Sequence, residues 1–336
     1  MRLPSYLHPR RSAQVNIPLL HPLLREDLAA VDRVLREALD SDVVLIRQVA
    51  EYIIGGGGKR LRPALVLLSA RAFGYRGAHH HTLAAIVEMI HTATLLHDDV
   101  VDESDLRRGH ATANASFGNA ASVLVGDFLY SRAFQLMVAV NDMRVLEILS
   151  EATNVIAEGE VMQLVNSGDA DVGEQRYLEV IRRKTAKLFE AATRLGSVLG
   201  GASRATEDDL ASYGMHLGTA FQLIDDVLDY SGDEDAIGKH LGDDLAEGKP
   251  TLPLIRALAV GDDAQRALIR EAISGARRSD FAQVLAVLQD TGALDFARAS
   301  AVRESTVAAR CLDTLPPSTY RETLLELTVF AVTRTA

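Results

Sequence analysis

The chain has a single cysteine, Cys311, in 336 residues. One cysteine excludes an internal disulfide and any cysteine-based zinc site, and it fits a reducing compartment, expected to be the cytoplasm. No run of eighteen or more residues is both uncharged and strongly apolar; the charge-free stretch from Gly109 to Gly126 is diluted by asparagine, glycine and serine, so no membrane span is expected. Basic residues are outnumbered, 35 against 46 acids, for a net charge of -11. That balance excludes a broad electrostatic grip on nucleic acid or an anionic membrane, so any anionic ligand must be held by local basic clusters. Sustained alternation of apolar and polar residues is also missing, and with it the usual mark of half-buried strands. Residues 1–20 carry Arg2, Arg10 and Arg11 without an acid, but Pro4, Pro9 and the lack of an amphipathic stripe argue against a targeting segment. They read as a flexible lead-in to one domain over residues 21–336.

What is present is helical patterning. In "LLREDLAAVDRVLREAL", Leu23 to Leu39, apolar residues recur at three- and four-residue steps, with acids and arginines on the other face. Similar periodicity continues almost to the end, with breaks at Gly55–Gly58, Gly74–Gly77, Ser104–Gly109, Ser167–Gly173, Gly200–Ser203, Ser231–Gly248 and Leu315–Ser318. None is long or biased enough for a domain linker. The chain reads as all-α.

Two stretches echo each other: "LLHDDVVD", ending at Asp102, and "QLIDDVLD", ending at Asp229. Residues four apart share a helix face, so Asp98 points with Asp102, and Asp225 with Asp229, while Asp99 and Asp226 sit about 100° round. Each pair forms a claw for a divalent cation. Like charges at that spacing in apolar frames are unfavourable unless cations or donors offset them. All-carboxylate ligation with sites left for water or phosphate favours Mg²⁺. A di-iron bundle would need two Glu-x-x-His motifs, and only Glu88 to His91 fits. "DEDAIGKHLGDD", from Asp233, imitates a calcium loop, but Ile237 takes a ligand position and Asp244 replaces the closing glutamate.

The basic counterparts are local. "GGGGKRLRP", Gly55 to Pro63, is not a P-loop: Ile53 stands where its first glycine belongs and Arg60 where its Ser or Thr belongs. Its glycines can still expose backbone N–H groups at a helix start, where Lys59, Arg60 and Arg62 favour a phosphate. Arg107 and Arg108 follow Asp102 closely enough to meet a diphosphate bridged by metal, and guanidinium is the planar donor suited to phosphate. Lys184, Lys239 and Lys249 are further anion-binding candidates. His91, Leu95, Asp98 and Asp102 lie at steps of four, three and four, so His91 is expected to face the same cavity.

With "GGKRLRP", "EMIHTATLLHDDVVDESDLRRG", "GDFLYSRAF", "KTAKLFEA" and "GTAFQLIDDVLDYSGDEDAIGKHLGDDLAEGKPTLPL" in order, the sequence resembles the trans-prenyltransferases, the head-to-tail isoprenyl diphosphate synthases, from about Leu23 to the end. Within that family it is most similar to the bacterial long-chain enzymes that make octaprenyl diphosphate for quinone side chains. The resemblance implies a helical bundle of the isoprenoid synthase type around a deep central cavity, usually a homodimer. It implies several Mg²⁺ ions held by Asp98, Asp102, Asp225 and Asp229, with Asp99 and Asp226 as supporting carboxylates. An allylic diphosphate would be held through Arg107, Lys184, Thr185, Gln222, Lys239 and Lys249, and isopentenyl diphosphate through Lys59, Arg62, His91 and Arg108.

The implied reaction is ionisation of the allylic diphosphate, attack by isopentenyl diphosphate and loss of a proton, repeated until the tail meets a floor. In the family, bulky residues four and five positions before the first aspartate shorten the product; here they are the small Thr94 and Ala93. Phe134 and Met137 are the candidates for a deeper floor. The long apolar product implies transient membrane contact at release. Three rivals are weaker. A class I terpene cyclase would carry an Asn/Ser/Glu metal motif where "DDVLD" stands. A non-catalytic partner subunit would have lost the aspartates, and an HD-type phosphohydrolase would need more histidine ligands.

Overall fold

The computed structural model describes residues 20–55, 58–107, 109–232 and 240–335, so the lead-in expected over 1–20 falls outside it except for Leu20. The spaced apolar residues of Leu23 to Leu39 form helix α1 (Leu20–Ala38), with Leu24, Val31 and Leu35 buried along one stripe. Helices α2 (Val44–Gly55) and α3 (Leu61–Ala72) follow. Helix α4 (His79–Val101) differs: every residue from Leu83 to Ile90 is buried. A helix without a polar face must be enclosed, and α4 is enclosed by α1, α3 and α6 (Asn119–Val140). Each large aliphatic side chain so buried contributes about 1.5–3 kcal/mol.

Among the described residues the all-α expectation holds except for one small ladder. Leu106–Arg107 (β1) pairs antiparallel with His110–Ala111 (β2), placing Arg107 opposite His110, and the short helix α5 (Ala113–Phe117) leads into α6. Helix α6 is long and apolar enough, by length and composition, to cross a membrane. It packs along α4, burying Val125, Leu129, Ala133 and Met137, and also carries Asp127 and Arg132.

Helix α7 (Met143–Asn166) starts at Asp142, whose carboxylate accepts the Arg144 N–H at 2.8 Å. Helix α8 (Glu174–Ile181) runs into a π-helical turn, Arg182–Ala186, and then α9 (Lys187–Leu199). The longest helix, α10 (Arg204–Ser231), is capped by Ser203, which accepts the Thr206 N–H. Helices Asp243–Ala246, Leu252–Val260, Asp263–Gly275, Phe281–Asp290, Ala293–Cys311 and Thr319–Thr333 complete the order.

Close approach of α9 to α10 positions the later chemistry. A Cβ at Gly214 would lie 2.6 Å from the Phe189 carbonyl, and one at Gly218 would lie 2.6 Å from Ala186 Cα. Without side chains there, the two helices close and Thr185 reaches Gln222. At the other end, Asp27 ties three helices together. It accepts from Arg71 Nη2 at 2.6 Å and Nε at 3.0 Å, and sits 2.9 Å from His81 Nε2. Cys311 is half-buried, with burial raising its thiol pKa.

Candidate active site

The first aspartate cluster ends α4, where helix carbonyls already make the surroundings negative. Cations offset it. Lys184 Nζ lies 3.6 Å from Asp98 Oδ2, and Lys249 Nζ donates to Asp102 Oδ2 at 3.0 Å. Asp99 is buried and accepts Arg107 Nε at 2.7 Å, with Nη2 at 2.6 Å from the same oxygen. Burial raises the Asp99 pKa, although Arg107 pulls it down. Asp99 therefore holds the arginine in place, while Asp98 and Asp102 line a cavity of about 200 Å³.

The second cluster lies toward the end of α10. Asp226 is on the cavity wall; Asp225 is half-buried, and Asp229 is fully enclosed. Asp225 Oδ1 is 2.7 Å from Arg334 Nη2, and Asp229 Oδ2 accepts the Asp244 N–H at 3.2 Å. Asp225 and Asp229, expected to share one face by their four-residue spacing, do not line the cavity, whereas Asp226 does. Asp229 is enclosed, with one carboxylate oxygen taken by the Asp244 N–H. Asp244 itself lines the cavity.

Between the clusters runs a chain of hydrogen bonds. Thr185 Oγ1 donates to Gln222 Oε1 at 3.1 Å, Gln222 Nε2 donates to Asp226 Oδ1 at 2.8 Å, and the Tyr177 hydroxyl donates to Asp226 Oδ2. Burial pushes the Asp226 carboxyl well above the usual range, and neighbouring Asp244 adds to the effect. The π-turn presents Lys184 and Thr185 together to the cavity.

Lys59, Arg62 and His91, the last expected to face this cavity, are not among the residues that line it. Arg62 Nη1 is 3.1 Å from His91 Nε2, and its guanidinium stacks 4.6 Å above the Phe189 ring. Lys59 Nζ sits 5.8 Å from the Phe221 ring centre and 5.9 Å from that of Phe330. Arg108 and Lys239, both expected on diphosphates, lie outside the described residues. Of the chain-length candidates, Ala93 and Met137 are fully buried and Thr94 is half-buried. Phe134 is 40% exposed on the outer side of α6. A tunnel floor must face inward, so Phe134 is withdrawn from that role.

Sequence reasoning missed several groups. Glu160 of α7 pairs with Lys184 at 2.5 Å, and Glu247 pairs with Lys249. Burial lifts both carboxyls to about 7 against the pull of their lysines. Arg334, near the last described residue, packs 3.8 Å over Phe221 and donates to its carbonyl at 2.7 Å. Glu247, two residues before Lys249, could have been noticed; Glu160 and Arg334 carry no local signal.

Every residue of the claws that faces the cavity or its rim offers carboxylate oxygen, and Lys184, Lys249 and Arg334 now contact Asp98, Asp102 and Asp225. That donor set fits hard divalent cations, with ammonium and guanidinium groups occupying cation positions. The fold and site define a divalent-metal enzyme acting on diphosphates, of the all-α isoprenoid synthase class. The chain belongs to the polyprenyl synthetase family, whose model matches residues 43–291, and it is a long-chain trans-prenyltransferase. It is 52% identical over 321 residues to the octaprenyl diphosphate synthase of Escherichia coli (strain K12), covering 95% of this chain and 99% of that one. It is 50% identical over 321 residues to the octaprenyl diphosphate synthase of Haemophilus influenzae, covering 95% and 98%. The crystal structure of polyprenyl synthase from Caulobacter crescentus CB15, complexed with calcium and isoprenyl diphosphate, matches with a TM-score of 0.92 at 46% identity, covering 98% of this chain and all of that one.

Proposed function

We propose that this chain, as one synthase domain from residue 21 to 336, adds isopentenyl diphosphate units to an allylic diphosphate such as farnesyl diphosphate and stops at octaprenyl diphosphate, for quinone side chains. The observation that carries the chemistry is one cavity lined by Asp98 and Asp102 of the first cluster and Asp226 of the second, with lysines already on Asp98 and Asp102. Identity of 50–52% to two octaprenyl diphosphate synthases, and the small Ala93 and Thr94, support the chain length.

Asp98, Asp102, Asp225 and Asp229 are assigned to Mg²⁺, several ions per site, which would supply positive charge against the departing diphosphate. Lys184, Lys249, Arg107 and Lys239 take the allylic diphosphate's oxygens. Thr185 and Gln222 aim dipoles at the allylic cation, and the buried Tyr177–Asp226 pair behind Gln222 fixes its amide. Lys59, Arg62, His91 and Arg108 hold isopentenyl diphosphate with its alkene toward that cation. A proton leaves to the departed diphosphate, and the longer allylic product re-enters the cycle.

The enzyme works in the cytoplasm as a homodimer through the outer face of α6 and α7, with transient membrane contact as product leaves. Incubation with Mg²⁺, farnesyl diphosphate and labelled isopentenyl diphosphate, followed by separation of products by length, tests the reading. An octaprenyl peak is expected. Another length would relocate the floor, and no elongation from any allylic starter would sink the reading. Cyclic hydrocarbon formed from the allylic substrate alone would instead favour a terpene cyclase, and activity restored only by a second chain would favour a partner subunit.

A further inference from the structure

Lys59 and Arg60 lead into α3 and Arg62 stands in its first turn, but the three side chains diverge in space. Arg60 turns away from the other two: its Nη1 donates to Glu88 Oε1 at 2.6 Å, and its Nη2 lies 3.7 Å from Asp32 Oδ1 on α1. Glu88 is buried in the middle of α4, three residues before His91. The Arg60 backbone is left-handed, with φ 49° and ψ 31°, at the residue that caps α3. A side chain with a Cβ disfavours that conformation, and it persists only when its surroundings fix it. Four glycines precede Lys59 in the sequence, yet the left-handed position is given to an arginine.

The reversal at Arg60 divides the loop. On one side of it Lys59 lies near the Phe221 and Phe330 rings; on the other, Arg62 reaches His91 and Phe189. If Arg60 relaxed to an ordinary helical or extended conformation, Lys59 and Arg62 could not keep those two directions together, because Arg60 is bonded directly to Lys59 and joined to Arg62 through Leu61 alone. The ion pair with Glu88 is the contact that fixes Arg60, since it is short and mostly buried, whereas Asp32 is 52% exposed and more distant.

We infer that Glu88 is a positioning residue for isopentenyl diphosphate: through Arg60 it locks the left-handed turn that aims Lys59 and Arg62 at the same anion. The inference rests on the assignment of Lys59, Arg62 and His91 to that substrate. Glu88 touches no substrate and acts only on the geometry of the loop. It therefore governs the binding of one of the two diphosphates and leaves the metal-held one alone.

Steady-state kinetics of the full chain with Mg²⁺, varying each substrate separately, test this. Glu88→Ala is expected to raise KM for isopentenyl diphosphate by about tenfold while KM for farnesyl diphosphate stays within about twofold, the pattern of lost binding to one ligand. Glu88→Gln keeps an acceptor for Arg60 and is expected to recover most of that loss. Arg60→Gly permits the left-handed backbone but deletes the latch; it should reproduce the selective KM rise, and it remains informative should Glu88→Ala fail to fold. Equal rises in both KM values, or a lowered melting temperature with no change in KM for isopentenyl diphosphate, would overturn the positioning role. Lys59→Ala and Arg62→Ala separate the two levels. If they raise that KM and the Glu88 and Arg60 variants do not, only the latch fails; if they leave it unchanged, the substrate assignment fails and takes the latch with it.

Discussion

His80 is fully buried at the start of α4, where Asp27, Arg71 and His81 converge. Burial holds its pKa down to about 4, helped by the nearby His81 and Arg71, so the folded protein keeps it neutral. The unfolded chain protonates it near 6.5. As pH falls from 6.5 toward 4, the unfolded state gains a proton that the folded state refuses, so stability present above 6.5 is lost across that window. Asp27 adds a second loss lower down. Despite burial, its bonds to Arg71 and His81 depress its pKa from 3.8 to about 2, so its contribution holds above 3.8 and fades toward 2. The unfolding free energy of the wild type from denaturant titrations should fall between pH 6.5 and 4.5 by an amount on the order of 1–3 kcal/mol, and His80→Gln should flatten that slope. An identical slope in the variant would clear His80 of the effect. Met137 makes a different single-residue test, since it is enclosed on the inner stripe of α6 with Leu129 and Ala133. Met137→Ala should cost about 2–5 kcal/mol of stability and lengthen the polyprenyl product seen by chromatography. An unchanged length distribution in folded variant protein would remove Met137 from the tunnel floor.

The π-turn Arg182–Ala186 is an element whose shape carries function, because it points both Lys184 and Thr185 at the cavity. Its neighbour Gly159 on α7 leaves it room: a Cβ there would lie 2.6 Å from the Lys184 backbone N and 2.8 Å from Arg183 Cβ. Neither contact is the free end of a side chain, so Gly159→Ala must shift the turn or the helix, at a cost of about 1–3 kcal/mol. Turnover should fall by about tenfold or more, equivalent to 1.4 kcal/mol or more in the barrier, with circular dichroism still helical. A kcat within twofold of wild type would show that the turn absorbs the methyl. Nothing in "RRKTA" marks it as wider than an α-helix, which is why the sequence yields Lys184 and Thr185 as residues but not the turn that pairs them. The aspartate clusters were legible because four-residue spacing reports which side chains share a face. Spacing does not report which way that face looks. Hence Asp226, with Gln222, holds the cavity wall while Asp225 meets Arg334 and Asp229 is enclosed. Phe134 fails as a floor for the same reason, and Glu160 reaches Lys184 only through the packing of α7 on the π-turn.

At the scale of the whole molecule, α6 and α7 leave apolar side chains that are exposed among the described residues. Leu124 and Val138 on α6 are 66% and 63% exposed, and Val161, Leu164 and Val165 on α7 are 60%, 63% and 65% exposed. On α7 these three fall at i, i+3 and i+4, one face of the helix. Helix α6 buries an inner apolar stripe in the core and leaves Leu124 and Val138 exposed on its outer side. Exposed apolar patches mark interaction surfaces, and under the proposed homodimer a second copy would cover these residues across a two-fold axis. Phe134, 40% exposed on the same helix, would fall on this face in the proposed homodimer. Sedimentation of the wild type should give twice the mass of one chain. Leu164→Glu, which places a charge on that face without touching the cavity residues, should shift it to the single-chain mass at micromolar concentration. A wild type that sediments as a monomer would sink the homodimer and leave the face to a membrane or another protein. A Leu164→Glu variant that stays dimeric would move the interface away from α7.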